Sequence, residues 1–308
     1  MAPKLRELRP LRRPRVKIRK TVDLSLPPAI LARTGAIYRK VAHLAAEAIQ
    51  RDLEQWIRQH ARPDELRTDA IRSPYPGDLA SVLLAVEGEF DAAAVDAALA
   101  QVGQAVDRLS FEKLSKVPGV NPSRLISGGA GALARFRQTN ALLIKSIPEQ
   151  MAADVGAALA EVDVRSLHVK DVGEILAERF SVSESKGEFW ARDQTLKLYA
   201  NVQETRQRAA GASQYQWENS DDERVRGRPD GIWAKNASNH WVLGNTIQSW
   251  NAPPITNPKT GARNHPGHDY QCRCSAYPLF DGDPIEVPPP EPDGTTPEEE
   301  AAGLLGLR

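Results

Sequence analysis

The only two cysteines of this 308-residue chain fall within one stretch, His265-Pro266-Gly267-His268-Asp269-Tyr270-Gln271-Cys272-Arg273-Cys274, together with two of its six histidines. Sulfur and imidazole donors this close together suit a soft or borderline cation such as zinc, with His265, His268, Cys272 and Cys274 as candidate ligands. The spacing argues the other way. Structural zinc sites usually set two ligands on one knuckle and the other two roughly a dozen or more residues away, whereas these four share a single short segment kinked at Pro266-Gly267. The packing alternative is a tight turn at Pro266-Gly267 that feeds a short strand. Cys272 and Cys274 would then share one face as small apolar residues beneath a sheet. A disulfide between positions two apart would be badly strained. The expectation is therefore no bound cofactor, with zinc at these four residues as the alternative.

Other boxes precede this stretch. They are Tyr215-Gln216-Trp217, Asp221-Asp222-Glu223-Arg224-Val225-Arg226, His240-Trp241-Val242-Leu243-Gly244, Trp250-Asn251-Ala252-Pro253-Pro254 and Gly261. In that order, closing on Pro266-Gly267-x-Asp269-x-x-Cys272-Arg273-Cys274, the chain resembles the phage Mu protein F-like family of minor head, or head morphogenesis, proteins. The segments Leu142 to Pro148 and Ala191 to Thr195 look like that family's lead-in. The resemblance spans roughly residues 140–280, and only the connection from Gly227 to Asn239 is longer than the family pattern. It implies a structural motif built from Trp217, Asp222, Arg224, Arg226, His240, Gly244, His265, Pro266, Gly267, Asp269, Cys272, Arg273 and Cys274. It also implies a place in the virion head, host cytoplasm during assembly, and portal protein, major capsid or scaffold protein and packaged DNA as partners. The family's role is structural, so no enzyme is expected.

Two alternatives use the same residues. A nuclease or transferase would take His240 as general base and Arg224 to stabilise a phosphorane-like transition state. A zinc-stabilised nucleic-acid-binding module would use the Cys/His group. Against catalysis, the chain has no P-loop, nucleophile elbow or zinc-hydrolase helix. A satisfied polar network holding a small sheet together explains the same residue types.

These side chains need elements to position them. From Ile37 to about Gln59 apolar residues recur at three-and-four spacing, which predicts an amphipathic helix. Leu79 to Val86 and Val95 to Leu109 continue the pattern as bundle-type helices. Residues 117–131, rich in Gly and Pro, read as a hinge; they lack the Gly-Lys-Ser/Thr ending of a phosphate loop. Ser146 and Glu149 suggest a capping box with Pro148 in the first turn of a new helix. Further helices are expected near 169–180 and 186–209. Past Gly211 aromatic residues, Asn, Pro and Gly predict short strands, with Arg224 and Arg226 on one strand face. The fold class expected is α+β: a helical N-terminal region, then helices plus a small, aromatic-rich, mainly antiparallel β domain. In linear terms this gives a basic arm over 1–34, a helical region over 35–140, the resembling domain over 141–280 and an acidic, Pro-rich tail over 281–308.

Charge balances to zero over the chain but not along it. The first twenty residues hold nine Lys or Arg against one Glu, and Asp281 to Glu300 holds eight acids and no base. Arg12, Arg13, Arg15, Lys17, Arg19 and Lys20 are the candidates for contact with DNA phosphates or an acidic protein surface. The acidic tail has the composition of disorder. Two cysteines give no disulfide framework and suit a reducing compartment. No stretch approaches the roughly 20 apolar residues of a membrane span, and the basic N-terminus lacks a secretory signal's apolar stretch.

Overall fold

The computed structural model describes residues 20, 22–60, 91–125, 129–160 and 169–280. The expected helix at Leu79 to Val86, the acidic tail and the arm residues Arg12, Arg13, Arg15, Lys17 and Arg19 lie outside them. The architecture is α+β. Among the described residues four α-helices come first: α1 (Pro28–His60), α2 (Ala92–Leu114), α3 (Ala130–Ala160) and α4 (Val169–Ala209). Five short strands follow: β1 (Gln214–Glu218), β2 (Ile247–Ser249), β3 (Ile255–Asn257), β4 (Ala262–Arg263) and β5 (Ser275–Leu279).

The chain forms two units, each drawn from separated stretches. One holds Pro28–Ala105 and Leu133–Thr195 and is helical. Its buried side chains include Tyr38, Val41, Ala45, Ile49 and Leu53 of α1, Leu99 and Val102 of α2, Phe136, Ile144, Ile147, Met151 and Val155 of α3, and Ala191 of α4. Polar contacts fix this apolar packing. Tyr38 donates to Asn140 Oδ1 at 2.7 Å, and the amide of Asn140 donates to the Phe136 carbonyl at 2.7 Å. The buried hydroxyls of Thr34 and Thr195 meet at 2.9 Å.

Three helix expectations change. α1 begins at Pro28, not at Ile37, because proline's fixed φ and missing N–H suit the first helical turn. Ser146 and Pro148 lie inside α3 and do not start a helix; Ser146 donates to the Leu143 carbonyl at 2.8 Å, the back-bond a mid-helix serine makes. The two helices expected over 169–209 are one, since Ser181 to Ser185 contains neither Gly nor Pro to break it.

The second unit holds Met1–Pro27, Val106–Ala132 and Leu196–Arg308, as far as these are described. Its sheet has the order β2-β1-β5, antiparallel throughout, with Trp217 opposite Ala276 and Tyr215 opposite Pro278. β5 is an edge strand, where a proline's missing N–H costs the ladder nothing. Alternation along the strands separates two cores. Tyr215, Trp217 and Ala276 join Leu243, Trp250, Cys272 and Cys274 in one cluster. Tyr277 joins Leu24, Leu114, Val117, Leu125 and Ala210 in the other. β3 and β4 form a separate two-stranded sheet.

The segment around Arg224 and Arg226 is not a strand: residues 222–227 run through successive turns. Three residues of alternation are too few to fix a strand against the turn bias of the flanking Asp and Gly. Trp233, one of the aromatic residues past Gly211, lies not on a strand but half-exposed on a turn.

Candidate functional site

The motif boxes meet beneath β1. Backbone closure comes first. The Arg226 carbonyl accepts the N–H groups of both His240 and Trp241, each at 3.0 Å. The long connection from Gly227 to Asn239 is thus a loop closed at its base, and His240 keeps its place whatever the loop's length. The Pro266-Gly267 turn then brings the cysteines in. Gly267 has φ +80°, and a Cβ there would come within 2.6 Å of the Ala200 Cβ, so only glycine fits. Gly244 is held to glycine by contact, since a Cβ would lie 2.3 Å from Asn219 Nδ2.

The side chains form a chain of contacts. His240 Nδ1 lies 3.4 Å from Cys272 Sγ and 3.8 Å from Cys274 Sγ. Its Nε2 lies 3.0 Å from Asp269 Oδ2. Arg226 Nη1 donates to the same carboxylate oxygen at 2.9 Å, and Nη2 donates to the Tyr270 carbonyl. The backbone N–H of Gly267 donates to Cys272 Sγ at 3.3 Å. Trp217 Nε1 donates to Asn219 Oδ1 at 3.1 Å, and that oxygen is 3.7 Å from Cys274 Sγ. A second ion pair sits beside the first: Asp222 receives both Nη atoms of Arg273, with Nη2 to Oδ1 at 2.7 Å.

Burial sets the electrostatics. It works against a charged His240, but the hydrogen bonds to Asp269 and Cys272 outweigh it and raise the imidazole to about 9. The hydrogen bond from Cys274, with help from His240, holds the Cys272 thiol well below its ordinary range against burial. The same bond and burial push Cys274 well above it. Asp269 is desolvated too, yet its bonds to His240 and the Tyr270 N–H and the charge of Arg226 keep it below the usual carboxylate range.

The four residues weighed as an alternative zinc ligand set, His265, His268, Cys272 and Cys274, do not come together as one group. His265 Nδ1 is 2.9 Å from Tyr215 Oη, and its ring packs against the touching rings of Tyr215 and Trp250, with burial pushing it down to about 4. His268 Nε2 faces Glu204 at 3.4 Å. The third donor beside the two cysteines is His240: its nitrogen and both sulfurs lie within 4.8 Å of one another, a group able to hold a metal ion. Sequence distance hid it, because only the closed loop brings residue 240 beside 272. Asn219 also escaped notice, two residues past Trp217 and in no box.

The remaining candidates disperse. Arg224 is exposed and supplies only a backbone N–H to Asp222, at 2.9 Å; Arg226 is the arginine that reaches His240, at 3.4 Å. Lys20, a candidate for contact with DNA phosphates or an acidic protein surface, is paired with Glu218 of its own chain at 2.8 Å. Both cysteines are free and buried.

Comparison with known proteins adds little detail. A Haemophilus influenzae protein described only as uncharacterized is 32% identical over 142 residues, 46% of this chain. The match spans 28% of that relative's length. No family model and no solved structure matches.

Proposed function

We propose that this chain is a minor head protein of a tailed bacteriophage or prophage, acting in head morphogenesis near the portal. Its partners on this reading are portal protein, major capsid or scaffold protein and packaged DNA. One observation carries the proposal: residues of boxes scattered from Trp217 to Cys274, in the order that resembles the phage Mu F-like family, meet in one network around the buried His240, Cys272 and Cys274. There they bond mainly to one another. Arg226 and Asp269 tie the turn of one box to that of another, and His240 bridges them to the cysteines.

The order Cys272, His240, Asp269 does match a thiol-imidazole-carboxylate relay in sequence of contacts. Access argues against that use. Cys272 is 3% exposed and His240 2%. The cavity against Cys272 and Gly267 measures about 20 Å³, room for about a water molecule. A substrate has no route to the sulfur without opening the core.

Quantitative mass spectrometry of DNA-filled particles and empty proheads, from the phage or prophage that encodes the chain, tests the reading. A few copies in both are expected. Presence in proheads alone makes it an assembly factor that leaves before maturation. Absence from both overturns the proposal.

A further inference from the structure

We propose that His240 Nδ1, Cys272 Sγ and Cys274 Sγ bind a structural zinc ion, with the fourth position filled by Asn219 Oδ1 or a water. The proposal stands on this cluster alone, whatever role the chain plays in a particle.

Four observations support it. The first is spacing. A tetrahedral ion with Zn–S near 2.3 Å and Zn–N near 2.0–2.1 Å sets sulfur and nitrogen about 3.5–3.6 Å apart. The two observed sulfur-nitrogen separations, 3.4 and 3.8 Å, bracket that value. The second is the outer partner. A metal-bound histidine nearly always gives its other ring N–H to a carboxylate or carbonyl, which fixes its tautomer. Here Nδ1 faces the sulfurs and Nε2 faces Asp269 Oδ2 at 3.0 Å, with Arg226 on the same oxygen. The third is the N–H of Gly267 on Cys272 Sγ at 3.3 Å, a donor suited to a sulfur that carries negative charge.

The fourth is charge. Two buried thiolates without a cation would be costly, and a divalent ion cancels both. The Asp269 carboxylate is cancelled by Arg226, leaving no net charge buried. Binding needs both sulfurs as thiolates and His240 Nδ1 without a proton, so the protons these groups carry pass to solvent and affinity rises with pH. The ligand pair Cys272 and Cys274 with His240 joins positions 32 and 34 residues apart, so the ion would close the loop that carries the motif. Thiolate donors favour zinc over magnesium or calcium.

Full-length protein, made in zinc-replete medium and purified without chelator, is assayed for zinc by plasma mass spectrometry. Equimolar zinc is expected, retained in His265→Ala and His268→Ala and lost in Cys272→Ser and Cys274→Ser. A serine variant can lose metal merely by unfolding, so the deciding arm uses the wild-type chain. It is stripped by chelator under reducing conditions and titrated with Co²⁺. Sulfur-to-cobalt charge-transfer absorption and tetrahedral d–d bands should appear and be displaced by zinc. Chelation should lower the melting temperature of the wild type, and zinc should restore it. A wild-type chain that gives no charge-transfer band and melts identically with and without zinc overturns the proposal. So does zinc that survives both serine substitutions, or zinc lost from His265→Ala.

Discussion

Asp222 and Arg273 form the more exposed counterpart of the part-buried Asp269–Arg226 pair. Burial opposes the Asp222 charge, but the guanidinium of Arg273 and the backbone N–H of Arg224 outweigh it and lower the carboxyl below 3.8. The folded state thus binds this proton less readily than the unfolded chain does. The pair's contribution to stability is fully present above about pH 4 and is lost as pH falls through the lower folded value. Side-chain exposures of 32% and 37% leave the pair screened, so Asp222→Asn should cost about 1 kcal/mol or less at neutral pH. Urea midpoints of wild type and variant, compared from pH 7 downward, should converge in acid. A gap that stays constant would remove the charge from the account. At this scale the residue types were legible but not all of their settings: Trp217 lies on a strand, whereas Arg226 sits in a turn and Cys272 and Cys274, expected on a short strand, lie in irregular chain just ahead of β5. What the sequence concealed was partnership. His265 and His268 are near the cysteines along the chain, but Tyr215, Trp250 and Glu204 hold them elsewhere, whereas His240 arrives through a backbone closure that has no sequence signature.

Among the elements, α3 shows how tertiary packing overrides a local signal. A serine three residues before a glutamate, with proline between, is what a helix start looks like. Yet Ile144, Ile147 and Met151 are buried on both sides of Pro148, and the continuous apolar face carries the helix straight through. The proline remains a defect, having no N–H to give the Ile144 carbonyl. Pro148→Ala should therefore stabilise the protein by about 1–2 kcal/mol, less than the roughly 3 kcal/mol a mid-helix proline can cost, because the ring's buried contacts are lost. Thermal and urea denaturation measure this; a lower melting temperature would mean that the ring's packing outweighs the bond. Strand identity was legible for β1, where aromatic residues alternate over five positions. It was not legible at Val225, whose neighbours belong to turns.

For the whole molecule, the division into units runs inside helices: α2, α3 and α4 each pass from one unit to the other. A linear pattern of helices followed by strands conveys the α+β class but gives no sign of this interleaving, because core membership depends on contacts distant in sequence. Leu24, Leu114, Val117 and Leu125 share a cluster with Tyr277. Arg206, 4% exposed, pairs with Asp107 at 2.9 Å. A fragment of residues 141–280 would lose those leucines and the valine and leave Arg206 buried without its carboxylate, a loss that buried ion pairs tolerate poorly. Such a fragment should lack a cooperative melting transition and the near-ultraviolet circular dichroism of the full chain. A fragment that melts cooperatively with the parent's spectrum would show that the unit needs no upstream residues. Among the described residues no helix is long and apolar enough to cross a membrane.

The cluster that unites Leu24 with Tyr277 has a consequence in time. During synthesis Leu24 is joined by Leu114, Val117 and Leu125, but Tyr277, which completes their cluster, is made long after all of them. β1 waits as well, since β2 and β5 are made later and both flank it. Until β5 is released from the exit tunnel, Trp217 and Tyr215 have one side uncovered. Synthesis of the sixty or so residues from β1 to β5, on the order of 3–12 seconds at roughly 5–20 residues per second, is therefore an interval in which a nascent chain of this protein is open to capture by chaperones or by its own copies.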